Sequence, residues 1–103
     1  MTAITVYSAN PPGGRCTLYQ GYADEICAAL GLPREVVYTA ERCAHGDGFP
    51  SLKLGDVILQ PSDGVILSPE DICAALARAG LLPETGTELL GRLNAHLDAL
   101  LEG

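Results

Sequence analysis

Two short β-branched runs separated by a single helical period constrain this chain's fold more than any other feature. Ile4 and Val6, flanked by Ala3 and Tyr7, form an apolar run that stops at Asn10-Pro11-Pro12-Gly13-Gly14, the pattern of a buried strand ending in a turn. Over residues 17–30, Tyr19, Ala23, Ile26, Cys27 and Leu30 recur at offsets of four, seven, eight and eleven, which places them on one face of a helix. Gly31 stops that helix and Pro33 follows it, the usual punctuation of a helix end. Residues 35–39, Glu-Val-Val-Tyr-Thr, are β-branched and aromatic and predict a second strand. Strands joined through a helix run parallel with a right-handed crossover, so this segment is a βαβ unit.

Residues 42–48 are polar and glycine-bearing, too short for a full helix, and read as a loop. Phe49-Pro50 then leads into an apolar run over 51–54, a Gly55-Asp56 turn and a second run over 57–59, an antiparallel hairpin. A further apolar piece, Gly64-Val65-Ile66-Leu67, follows Pro61-Ser62-Asp63 and extends or flanks the sheet. Ser68-Pro69-Glu70-Asp71 has an N-cap hydroxyl, proline at the first helical position and acids in the first turn. The helix it opens runs to Ala79, buries Ile72, Cys73 and Leu76, and ends at Gly80. Thr85 and Glu88 match a capping box for a last helix over 85–101, whose stripe of Leu89, Leu90, Leu93, Leu97, Leu100 and Leu101 covers the sheet or pairs with a second copy. No repeat, low-complexity tract or linker divides the chain, so residues 1–103 form one domain.

Charge and cysteine usage narrow the function classes. Thirteen acids against six basic residues give a net charge of −7, and no window gathers the lysines and arginines that neutralise phosphates, which excludes nucleic acid as a partner. The N-terminal apolar run is short and lacks a preceding basic residue, so neither a signal peptide nor a membrane span is expected and the protein reads as cytoplasmic. In that compartment Cys16, Cys27, Cys43 and Cys73 are reduced. A chain of this length buries enough surface to fold without disulfides.

Cys16 is the first candidate for chemistry. It follows Gly13-Gly14-Arg15 at the passage from strand to helix, where unpaired amides and the helix dipole favour a thiolate. Gly13 and Gly14 add unhindered amides that can hold an anion or a partner's backbone. Cys43, with Glu41, Arg42 and Asp47 around it, lies in the loop before Pro50 and is the candidate resolving thiol for Cys16. His45 completes a Cys16, Cys43, His45 set that suggests a metal carrier, although no fourth ligand is evident. Cys27 and Cys73 fall on apolar helix faces as small core residues, and His96 reads as a boundary residue beside the last leucine stripe. The cysteine spacings match no iron–sulfur pattern.

This order of elements resembles the thioredoxin fold in a compact form that has lost the helix before the hairpin. Two positions carry the resemblance: Cys16 lies where these proteins place a Cys-x-x-Cys motif, and Pro50 lies where they have a cis-proline opening the third strand. The shortened layout is similar to that of the selenoprotein W-like family, as is Gly55-Asp56-Val57-Ile58 before a Gly64 turn. The resemblance covers residues 3–79 and implies an α/β, thioredoxin-like domain: a four-stranded mixed sheet with helices packed on it and an extra C-terminal helix. The family's first cysteine, the attacking thiol, is replaced here by Gly13, three residues before Cys16. The resemblance therefore implies a degenerate site that binds a partner peptide or protein in a groove of Gly13, Gly14, Phe49 and Pro50, with no cofactor. The alternatives are a thiol redox protein using Cys16 and Cys43 on a protein or small-thiol substrate, and the metal carrier above; catalysis is left open.

Overall fold

The computed structural model describes residues 3–11, 13–43, 45, 46, 48–64 and 66–102, so Pro12, Asp47 and Val65, used in the reading above, lie outside the described residues. The elements in chain order are β1 (Ile4–Ser8), α1 (Gly14–Leu30), β2 (Arg34–Tyr38), β3 (Ser51–Leu54), β4 (Val57–Ile58), α2 (Pro69–Arg78) and α3 (Gly86–Glu102). The sheet order is β2-β1-β3-β4. β1 and β2 are parallel, with Val6 opposite Val36, whereas β1–β3 and β3–β4 are antiparallel. The expected fold class is the one found: an α/β domain with a four-stranded mixed sheet, helices packed on it and an additional C-terminal helix. No helix of the described residues is long and apolar enough to cross a membrane.

α1 is buried on most sides, which its sequence shows only in part. Leu18, Tyr19, Tyr22, Ala23 and Ile26 all enter the core with Ile4 and Val6 of β1, Leu52 and Leu54 of β3, and Leu89 and Leu93 of α3. α3 packs on α1 and α2, so its leucine stripe covers helices in place of the sheet. At that crossing the His96 ring lies over Gly21, where a β-carbon would stand 2.9 Å from its Cε1 atom. The far edge of His96 faces Glu25 at 3.4 Å, half in solvent, as a boundary residue should. Gly31 ends α1 at φ 67°, a left-handed conformation that glycine adopts without a β-carbon penalty, and its N–H bonds the Cys27 carbonyl.

Alternation along the strands sends Ile4, Val6 and Ser8 toward the helices. The opposite sheet face carries Thr5 and Tyr7 with their register partners Glu35, Val37 and Lys53, and stays partly open. No helix lies between β2 and β3 among the described residues, which accounts for that opening. Of the two readings of the 64–67 piece, extending the sheet is not what the described residues Gly64, Ile66 and Leu67 do. Leu67 is driven into the core, where its N–H donates to the Tyr19 hydroxyl at 3.1 Å and its carbonyl accepts from the Tyr22 hydroxyl at 2.9 Å. α2 starts as predicted, with Ser68 and Asp71 forming a reciprocal capping box and Pro69 in the first turn.

Because Leu93 is fully buried and Leu101 is 71% exposed, the middle and the C-terminal end of α3 should respond differently to side-chain truncation. Leu93→Ala is expected to lower unfolding free energy by about 2–5 kcal/mol, and Leu101→Ala to stay within about 0.5 kcal/mol, measured by urea denaturation.

Candidate functional site

The chain leaves β1 at Ser8, crosses Ala9 and Pro11, and enters α1 at Gly14 with Gly13 as N-cap. α1 thus begins three residues earlier than its apolar period, and Cys16 sits inside the first turn. Gly13 supplies no side-chain cap, and no acid occupies the first turn. Nothing lies within 4 Å of where a Gly13 β-carbon would stand, so this corner is open.

Against it lies the start of β3. The Phe49–Pro50 peptide bond is cis, as the resemblance implies, and so is Asn10–Pro11. Ala9, Pro11, Gly13, Gly14, Arg15 and Cys16 from one side, with Arg42, Phe49 and Pro50 from the other, enclose a pocket of about 320 Å³. The structure therefore brings together Gly13, Gly14, Cys16, Phe49 and Pro50. Cys43 is exposed on the neighbouring loop and is not part of this lining. All four cysteines are free. Cys16 is 3% exposed, and the Ala9 N–H points at its sulfur at 3.5 Å. Cys27 and Cys73 pack against the core from partly buried positions, where burial pushes both thiols up from their ordinary range.

His45 meets the core through Tyr19. Its Nε2 lies 2.6 Å from the Tyr19 hydroxyl, and among the described residues no three histidine, cysteine or acidic side chains come together as ligands. Burial lowers the His45 pKa below its usual value, and the charge of Arg15 lowers it further.

Comparison with family models, curated proteins and solved structures finds no match for this chain. The site stands on its own geometry.

Two features of the loop escaped the sequence. The backbone of Phe49 is already paired, its N–H to the Glu41 carbonyl at 3.0 Å and its carbonyl to the Cys43 N–H at 3.2 Å. Those groups are therefore not available to an added strand. The second is Ser51, fully buried at the start of β3, whose hydroxyl accepts from the Gly46 N–H and bonds the Gly48 and Cys43 carbonyls. A serine opening a strand was the only signal, and it does not distinguish a loop anchor from an ordinary strand residue. Arg42 stacks over the Phe49 ring, 5.7 Å from its centroid.

Gly48 is pinned by main chain: a β-carbon there would meet the Cys43 nitrogen at 2.8 Å and crowd the Glu41 carbonyl. At Gly46 the obstacle is the Cys43 sulfur, which can rotate. Gly48→Ala should therefore cost about 1–3 kcal/mol in thermal or urea unfolding, clearly more than Gly46→Ala.

Proposed function

We propose that this domain is a thioredoxin-like binding module, close in layout to the selenoprotein W-like family, whose degenerate site holds a protein or peptide partner. The observation that carries the reading is the pocket itself. It has the Pro50 edge and the helix start of a thiol-exchange site, but open space at Gly13 and a single, buried thiol at Cys16. Dithiol exchange needs one thiol to attack and a second to resolve the mixed disulfide. Gly13 removes the first, and Cys16 is poorly placed to attack from within the wall.

The pocket also favours one kind of partner. Arg15 and Arg42, two of only six basic residues in a chain of charge −7, both line it. A segment carrying a carboxylate, from a side chain or a chain end, is complementary to that lining and repelled by the rest of the surface. A cytoplasmic setting agrees with four free thiols.

Peptides selected by display against the domain should be rich in Asp and Glu and weaken with salt. They should lose about tenfold affinity or more to Gly13→Trp, whose ring would fill the open corner. Equal binding to both forms contradicts the pocket as the site. In parallel, wild-type protein should not accelerate the reduction of insulin disulfides by dithiothreitol, whereas Gly13→Cys should. In that variant two thiols pass two electrons to the substrate disulfide, become a disulfide themselves and are restored by dithiothreitol. Wild-type turnover that Cys16→Ser abolishes would replace the binding reading with the thiol redox one.

A further inference from the structure

β2 forms one edge of the sheet, and its outer side is open. Among the elements it touches only β1 and α1, and α1 lies chiefly over β1. The ladder fixes which of its peptide groups face outward. The Ile4 N–H donates to the Pro33 carbonyl at 2.9 Å and the Thr39 N–H to the Ser8 carbonyl at 2.9 Å, so both ends of the strand turn these groups toward β1. Alternation then turns the main-chain groups of Glu35 and Val37 inward as well, and those of Arg34, Val36 and Tyr38 outward. Among the described residues no hydrogen bond reaches the outward groups.

The two edges of the sheet are built differently. β4 is two residues long and Pro61 follows it closely, features that keep an edge from pairing. β2 is five residues long, Arg-Glu-Val-Val-Tyr, exposed at all but Val36 and without glycine or proline inside it. Its sequence complements itself in one antiparallel register. With Val36 opposite Val36 of a second copy, Arg34 and Tyr38 face each other at both ends, so each outward residue meets another and every such pair exchanges both hydrogen bonds. Arg34, steadied by Asp24 at 2.6 Å, stands opposite the exposed Tyr38 ring as a cation–aromatic pair, and on the other face Glu35 meets Val37. A slip of two residues loses one of these pairs in either direction, and in one of them sets Glu35 against Glu35. Space is sufficient. Three strand spacings, about 14 Å, separate the two β1 strands in the joined sheet, and two packed helices need about 8–10 Å.

We propose that a second copy of this chain docks along β2, antiparallel about Val36, and joins the two sheets into one. The contact is not α3, whose leucine stripe lies on α1 and α2. The register also brings Arg34 of the second copy beside Tyr38, which lines a cleft that shares Ala9 and Phe49 with the pocket. That added cation at an acidic-peptide site rests on the binding reading above; the dimer itself does not.

Sedimentation velocity of the full chain tests it, with reductant to keep exposed Cys43 from cross-linking. Salt at about 0.15 M screens the repulsion between copies of charge −7. From about 5 to about 500 µM the weight-average mass should rise from 10.7 kDa toward twice that value. Amide hydrogen exchange over the same range reads the register. Protection at Arg34, Val36 and Tyr38 should grow about tenfold or more, whereas Glu35 and Val37, bonded to β1, should already be protected at the lowest concentration. Tyr38→Pro removes an outward N–H at an exposed position and spares the β1 bonds, so it should weaken association about tenfold or more with an unchanged far-UV spectrum. Leu101→Asp, at the exposed end of α3, should leave association as it was. A chain monomeric throughout, a dimer in which the three outward amides exchange as before, or one that survives in folded Tyr38→Pro overturns the proposal. So does a dimer broken by Leu101→Asp, or a monomer whose outward amides are protected only by an added acidic peptide, which would give the edge to a partner strand. Should Tyr38→Pro fail to fold, the exchange pattern of the wild-type chain decides. A dimer with this pattern whose pocket binds no acidic peptide removes the binding reading and leaves the dimer standing.

Discussion

The fold is organised around two tyrosines on successive turns of α1 and the main chain of one leucine. Tyr19 and Tyr22 are both fully buried, with ring centroids 6.0 Å apart, and their hydroxyls meet the N–H and the carbonyl of Leu67 respectively. Burying two aromatic side chains of this size is strongly favourable only if each hydroxyl finds a partner. Leu67 supplies both from a position that belongs to no strand or helix. In return that segment gains partners for its peptide groups, and no buried polar side-chain atom among the described residues is left unpaired. The same Tyr19 hydroxyl reaches on to His45, so the core of the domain and the wall of its pocket share one hydrogen-bonded chain.

This sharing explains why the site lies where it does. β1 ends at Ser8, buried below the pocket, and α1 starts at the open Gly13 corner. The helix that carries Cys16 into the wall is the one that carries Tyr19 into the core one turn later. A displacement of α1 would disturb the pocket and the tyrosine network together. The pocket is therefore positioned by the most deeply buried element of the fold, whereas its opposite wall, the 41–50 loop, is held by a few hydrogen bonds.

Much of the architecture was legible because it rests on local periodicity. The two strands around α1, the hairpin after Pro50, the capped start of α2 and the leucine stripe of α3 each advertise themselves within a few residues. The misread pieces are those whose role is set at long range. Leu67 enters the core under two tyrosines, and in sequence that looks the same as a piece that extends the sheet. α1 gains a turn at Gly14 and Arg15, where no apolar side chain marks the period. Within the site, Gly13, Cys16 and Pro50 were visible from their order, but the self-paired Phe49 backbone and the His45 contact depend on how the loop folds back, and no spacing encodes that.

The central claim is that the thiol at this pocket is a sequestered wall residue in a site built to bind. Time-resolved alkylation of the native protein at neutral pH, with each cysteine followed by peptide mass spectrometry, tests it most directly. Exposed Cys43 should be modified first, with buried Cys16 about tenfold slower or more. Modification of Cys16 as fast as Cys43 would show an accessible, reactive thiol and contradict the account.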